Sequence, residues 1–410
     1  MVQLLKMRSI ARQYIRSFEG LSPEVWWLSL VTLINRAGTM VIPFLSLYLS
    51  ESLSFDLESI GWVMSAFGLG SLIGSWLGGK LTDRLGYYKV MYTSLLLSGV
   101  GFIILQYLQT FSSLCLGIFV IMLVADAFRP AVFVALTAYS KEENRTRSVS
   151  LIRLAINLGF SAGPALGGLI ITHLDYAGLF WVDGITCMAA GVLMLVLLDP
   201  KRVKTETPSV INTENISPYR DRSYLLFIAA TFLFGLVFLQ YFSTVPLFYK
   251  DIHGLSEGAI GLILAMNGFL IFLLEMPLIK YLENRSVSTM GYILFGILLT
   301  MLSFLVLNLG SWSGLLIIGM LLMTLGEMVA FPFSNALALK MAQKGKQGAY
   351  MALYTIAFSF GHLFGHNSGM QLASWKGYAF TWWIMILTGG ISMLMLFLLR
   401  PILRKERISC

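Results

Sequence analysis

The sequence predicts an all-α integral membrane protein with twelve membrane-crossing helices arranged as two six-helix repeats. Three observations carry that expectation. Of 410 residues, 57% are hydrophobic and only 12% charged, with a mean hydropathy of +0.77, whereas a soluble domain carries about 25% charged residues. Twelve stretches are apolar over a length near the roughly 20 residues that a helix needs to cross a bilayer. The second half of the chain also matches the first at a fixed offset.

In chain order the spans are expected near 26–49, 59–79, 90–108, 114–138, 149–172, 177–198, 224–248, 258–279, 289–308, 313–337, 350–372 and 379–399. These lengths favour helices, because a barrel would show weaker segments of about ten alternating residues. The N-terminus, with Lys6, Arg8, Arg12 and Arg16, has no cleavable apolar region close behind it. It is expected to lie as an amphipathic segment on the inner surface.

Charge fixes the direction of crossing. If span one runs from inside to outside, only Lys250 and Lys376 fall in outer loops and Arg36, Arg129 and Arg153 fall within spans. The remaining 24 of the 29 Lys and Arg residues then lie inside, as the positive-inside rule requires. Both termini are accordingly expected in the cytoplasm, in a plasma (inner) membrane. The net charge of +8 is a topology signal, and no nucleic-acid partner is read from it. Cys115, Cys187 and Cys410 form neither a disulfide framework nor a metal-binding spacing.

The longest polar stretch, 199–222, contains Pro200, Pro208 and Pro218 and is the natural cytoplasmic linker. It divides the chain into an N-terminal half, 1–198, and a C-terminal half, 223–410. At an offset of 202, Leu151, Ala155, Gly159, Gly163 and Gly167 fall on Leu353, Ala357, Gly361, Gly365 and Gly369, and Pro130 falls on Pro332. At an offset of 200, Asp83 falls on Glu283. Agreement in separate places argues for duplication.

Between spans two and three the chain reads GKLTDRLGYYK, from Gly79 to Lys89. Gly79, Leu81, Asp83, Arg84 and Gly86 fit the pattern G-x-L-x-D-R-x-G, which resembles the loop signature of the major facilitator superfamily. Tyr87 and Tyr88 stand where two basic residues are usual, with Lys89 one place later. The resemblance implies the major facilitator fold, with substrate held between the halves at mid-membrane. It further implies that Asp83 and Arg84 lock the inner face through charge contacts that break when the transporter opens inward.

Span five contains N-L-G-F-S-A-G-P-A-L-G-G from Asn157 to Gly168. Gly159, Gly163 and Gly167 recur at i, i+4 and i+8, a smooth face that another helix can approach closely. Pro164 lacks a backbone N–H and permits a bend. Simple packing accounts for the glycines, but G-P-A-L-G-G, ending at Gly168, also resembles the fifth-helix motif of the proton-driven antiporters. That resemblance implies a hinge or seal at the interface between halves, and it favours export.

Charge inside the membrane costs about 2.5–3.5 kcal/mol or more and usually faces a cavity or a partner. Arg36 in span one, Asp126 and Arg129 in span four, and Glu327 in span ten lie near mid-membrane. The resemblance implies that spans one, four, seven and ten line the cavity, so these four residues would converge there. Asp126 and Arg129, at i, i+3, share a face and can pair, which would make them a structural network. Glu327 has no basic neighbour on its own helix and is the better proton carrier, with Asp126 and Arg129 as further coupling residues. Its context, L-G-E-M-V-A-F-P, resembles the tenth helix of proton-coupled multidrug exporters and of peptide symporters. In span seven Gln240 and Tyr241 are expected in the substrate cavity, together with His362 of span eleven. His362 and His366, at i, i+4, could hydrogen-bond, relay protons or ligate a metal, and no third ligand is evident. Glu275 and Asp183 are expected to be structural, with Glu275 paired to Lys280 or the inner loops.

No phosphate-binding G-x-x-x-x-G-K-[ST] occurs, and nothing suggests a covalent catalytic site, so a proton gradient rather than a cofactor is the expected energy source. The reading is a proton-coupled exporter of amphipathic or cationic compounds. Its expected partners are a small-molecule substrate, protons and the bilayer, with the chain acting as a monomer. Alternatives are a proton-coupled symporter of an anionic or zwitterionic solute such as a peptide, a lipid or lysolipid flippase, and a transporter-like receptor that moves nothing. Arg36 suits a carboxylate, although Leu33, Ile34 and Asn35 before it depart from the peptide family's E-x-x-E-R-F-x-Y-Y.

Overall fold

A computed structural model describes residues 20–141, 144–201, 218–285, 287–310, 312–342 and 347–405, and all its regular structure is helical. The basic N-terminal segment and most of the proposed linker (202–217) lie outside the described residues. Ten helical stretches are long and apolar enough to cross a membrane. Two of these, Arg145–Leu197 and Gln347–Lys405, are about twice the length of a span and each turns back once. The fold therefore has the twelve crossings expected.

The two reversals are related by the sequence repeat. Asp175 (φ 57°, ψ −177°) breaks the first long run and Gly377 (φ 80°, ψ 174°) the second, and the two positions differ by the offset of 202. Gly159, before the first reversal, abuts Arg36 and Ala37, while Thr186, after it, abuts Gly38. Both arms therefore run beside span one, as an antiparallel pair must. In the second half Gly361 lies against Gly235 and Ser392 donates a hydrogen bond to the Ala230 carbonyl, so both arms run beside span seven.

Span one is two helices, Pro23–Gly38 and Val41–Glu51, and span seven repeats the break with Arg222–Leu239, a tight turn at Gln240–Phe242 and Thr244–Asp251. Pro43 and Pro246 each stand third in the helix after the break. Their rings cannot donate to the carbonyl four residues earlier, so the ladder is interrupted where the sequence has already removed a donor. The amides freed in span one find a partner: Asp183 accepts from Met40 N–H (3.1 Å) and Val41 N–H (3.0 Å). Asp183 is thus a cap within the membrane, in keeping with the structural role expected of it.

The remaining spans are Leu57–Leu85, Tyr87–Leu105, Phe111–Ala125 continued by Phe128–Tyr139, Glu257–Glu283, Thr289–Leu307 and Gly314–Met341. Local chemistry fixes their starts. Asp56 caps span two by accepting from Ser59 N–H, and Ser256, 200 residues later, caps span eight by accepting from Ala259 N–H.

Burial shows how the halves meet. The face carrying the Gly79–Lys89 loop (the loop face) has two separate apolar cores. One, around Val25, Met91, Ala131 and Ile152, belongs to the N-terminal half, and the other, around Tyr224, Ile293, Leu337 and Leu399, to the C-terminal half. Toward the opposite, far face a single core joins both halves, from Phe44 and Val63 to Val245, Leu264 and Met370. The far face is closed and the halves part toward the loop face.

Candidate functional site

The residues sealing the far face are those whose small size the sequence displays. A Cβ on Gly168 would lie 2.7 Å from the Glu257 carbonyl oxygen, and one on Gly261 would lie 2.3 Å from the Pro164 carbonyl oxygen. Spans five and eight therefore touch backbone to backbone. Spans two and eleven do the same, with Gly68 against Leu363, and Ser65 Oγ donates to the Leu363 carbonyl (3.2 Å). Within the predicted fifth-helix hinge the faces divide. Gly159, Gly163 and Gly167 meet span one, whereas Pro164 and Gly168 meet span eight of the other half. At the rim, Lys250 bridges Glu51 (2.8 Å) and Glu257 (2.6 Å), tying span one to spans seven and eight.

Below this seal lies a cavity of about 350 Å³, bordered by both halves, a size typical of small-molecule sites. Arg36, Asp126, Arg129, Glu327 and His362 all face it, so the expected convergence of spans one, four and ten holds. His366, Asn157 and Asn267 line it as well, among apolar side chains including Phe67, Phe160, Phe238 and Phe242.

Its charges are arranged in two ways. On the N-terminal wall Arg129 lies 3.5 Å from Asp126, as the i, i+3 spacing predicts, and Ser71 donates to the same carboxylate. Arg36 belongs to no such pair: its guanidinium lies over the Phe160 ring (5.6 Å), and its buried Nε has no hydrogen-bond partner among the described residues. On the C-terminal wall Glu327 accepts a hydrogen bond from Asn267 Nδ2 (2.9 Å), and Asn267 also donates to Thr324 Oγ1 (3.1 Å). Among the described residues no cation is paired with Glu327.

His362 Nδ1 and His366 Nε2 are 3.3 Å apart, and both rings pack against Phe67 of span two. No group of three or more metal-binding side chains occurs among the described residues. Gln240 and Tyr241 do not line the cavity. The tight turn at 240–242 rotates Gln240 into the interior, where its amide donates to the Leu236 and Gly365 carbonyls and accepts from Thr244. Tyr241 packs on Phe304 and is fully buried. The cavity takes Phe238, Leu239 and Phe242 from span seven instead.

The partner of Glu275 also differs from expectation. Rather than Lys280, it pairs with Arg153 of span five (3.0 Å) and accepts from Asn157 Nδ2 (3.3 Å), a clasp between the halves. Gly79, Asp83, Arg84 and Gly86 lie at the loop face: Asp83, Arg84 and Gly86 are exposed, and a Cβ on Gly79 or Gly86 would meet nothing within 4 Å. Asn267 was not foreseen. A lone amide in an apolar span was the only signal, and pairing it with Glu327 requires the packing of span eight on span ten.

The family model described as Major Facilitator Superfamily matches residues 28–366 and 277–409. The chain belongs to that superfamily. It is 24% identical over 382 residues to multidrug resistance protein MdtH of Aeromonas salmonicida, covering 90% of this chain and 94% of that protein. It is 28% identical over 167 residues, 40% of this chain and 42% of the other, to quinolone resistance protein NorA of Staphylococcus aureus. The fold matches the crystal structure of a peptide transporter POT in complex with sulfate, with TM-score 0.80 and 17% identity over 96% of each chain. A POT family transporter named PepTSo gives a TM-score of 0.76 at 16% identity, over 94% of this chain and 99% of the other. Fold and superfamily are those of multi-pass membrane transporters, not of enzymes.

Proposed function

We propose that the chain is a proton-coupled secondary transporter that exports amphipathic or cationic compounds by alternating access. The observation that carries this reading is Glu327: a carboxylate facing a cavity between the halves, held by Asn267, which also donates to Thr324, with no cation paired with it among the described residues. Such a group can hold either a proton or a cationic substrate, and exchange of one for the other is antiport. Asp126 and Arg129 form the second charged station on the opposite wall. Names of relatives concerned with multidrug and quinolone resistance support the same direction.

In this reading the loop face is cytoplasmic, in a plasma (inner) membrane, and the halves 1–198 and 223–410 rock as a monomer about the cavity. The conformation described is then inward-facing. Asp83 and Arg84, exposed here, would engage when the loop face closes, while the Pro164–Gly168 seal and the Lys250 bridge release at the far face.

A second reading, symport of a zwitterionic or anionic solute such as a peptide, is favoured by Arg36 and by fold similarity to peptide transporters. Proton flux in proteoliposomes separates the two. Lipophilic cations such as tetraphenylphosphonium should drive protons in the opposite direction, and Glu327→Gln should abolish this. Proton movement in the same direction as a dipeptide would replace export with uptake. Silence with both would defeat the transport reading.

A further inference from the structure

We propose that His362 and His366 form a two-imidazole seat for a transition-metal dication such as Zn2+, on the part of the cavity wall made by span eleven. Such a seat is independent of proton exchange at Glu327.

The two rings already stand at a chelating distance. His362 Nδ1 and His366 Nε2 are 3.3 Å apart, one helical turn from each other, and both side chains line the cavity. Two nitrogens bound at about 2.0–2.1 Å to a tetrahedral zinc lie about 3.3–3.4 Å apart. An ion therefore fits where the two rings now share one proton. That proton passes to the other nitrogen of its own ring, so both imidazoles stay neutral, as metal ligands must. Phe67 packs on both rings, with centroids 6.1 and 5.8 Å away, and fixes their orientation. Packing alone does not call for imidazoles here. At the 202-residue offset the same two places in span five hold Phe160 and Pro164, which also line the cavity. Arg129 and Asp126, whose charges reach His362 from span four, offset one another. The remaining coordination positions are left to water or to donor atoms of a molecule in the cavity. One cost limits the affinity. His366 Nδ1 is buried without a hydrogen-bond partner among the described residues. With Nε2 on the metal its N–H stays unsatisfied, which weakens binding by about 5- to 150-fold. Two ligands in place of four supply about half the binding free energy of a structural zinc site, and with that cost Kd falls between about 10 µM and 1 mM.

The test uses the purified full chain, free of any polyhistidine tag and stripped of metal, in a background without Cys115, Cys187 and Cys410, with Zn2+ itself as the probe. Equilibrium dialysis should find one Zn2+ per chain with Kd in the stated range. About a 100-fold excess of Mg2+ should not displace it, because imidazole suits zinc whereas magnesium prefers oxygen donors. X-ray absorption at the zinc edge should show two imidazole nitrogens at about 2.0–2.1 Å. His362→Gln and His366→Gln should each weaken binding by at least about 10-fold, since loss of an outer-shell partner alone costs that much. His173→Gln, at an exposed position beside the first reversal, should leave binding unchanged. If the glutamine variants fail to fold, His362→Cys keeps a ligand and should show a zinc–sulfur distance of about 2.3 Å. A hydrogen bond that merely steadied the helix would give no such signature. No binding below about 1 mM, affinity unmoved by either glutamine variant, displacement by Mg2+, or a zinc shell without sulfur in His362→Cys would overturn the proposal. None of these results bears on cation-driven proton exchange in liposomes, so the transport reading stands or falls separately.

Discussion

Gly261→Ala tests whether backbone contact between the halves closes the far face. The new Cβ would lie 2.3 Å from the Pro164 carbonyl oxygen, 3.1 Å from the Phe44 ring and 3.3 Å from Gly168 Cα. The first of these neighbours is backbone and cannot rotate away. Ordinary contact needs about 1 Å more, so spans five and eight must separate by roughly that distance, at a cost of about 1–3 kcal/mol for overpacking. That cost falls only on the far-face-closed state, so the ratio of closed to open should fall by about 5- to 150-fold. The readout is pulsed-EPR distance between spin labels at Tyr107→Cys and Leu309→Cys, both exposed in far-face loops of opposite halves, in a background without the native cysteines. Gly390→Ala, whose Cβ would meet only Met301 Cε at 3.7 Å, is the control. A longer distance population for Gly261→Ala alone is expected. An unchanged distribution in a folded protein would refute the reasoning.

Other perturbations have equally direct expectations. Lys250→Met leaves Glu51 and Glu257 facing each other and should shift the same distance distribution toward opening, by about 1–2 kcal/mol given the partial exposure of the bridge. Asp183→Ala strips the Val41 amide of its acceptor and leaves the Met40 amide only the Gly38 carbonyl, and should cost about 1–3 kcal/mol. Asp183→Asn keeps an acceptor and should cost less than half of that, both read as loss of thermal stability in detergent. Asp175→Gly relieves a non-glycine residue at φ 57°, ψ −177° and should stabilise the chain by about 1 kcal/mol. A lower melting temperature for that variant would show that the Asp175 side chain contributes more than its backbone costs.

How much could be read in the sequence depended on the range of the interaction. Spans, their caps and the 202-residue repeat are local or periodic properties, and the repeat reaches even the paired reversals at Asp175 and Gly377. The cost of charge in an apolar span singled out Arg36, Asp126, Arg129 and Glu327. Their convergence followed from the resemblance to the major facilitator superfamily, which implies that spans one, four and ten line one cavity. The Arg153–Glu275 clasp joins residues 122 positions apart, and no helical periodicity links them. Gln240 and Tyr241 were misplaced because span seven was read as one straight helix. The run Gln240-Tyr241-Phe242-Ser243-Thr244 ahead of Pro246 was the missed signal. Such a break changes which side chains face the cavity, as it does in span one ahead of Pro43.

The central claim, that Glu327 exchanges a proton for substrate, is tested most directly by proton release in lightly buffered detergent solution. Adding tetraphenylphosphonium to the native chain should release protons in step with binding, and Glu327→Gln should release none. Binding to the native chain without release, or undiminished release from Glu327→Gln, would contradict it.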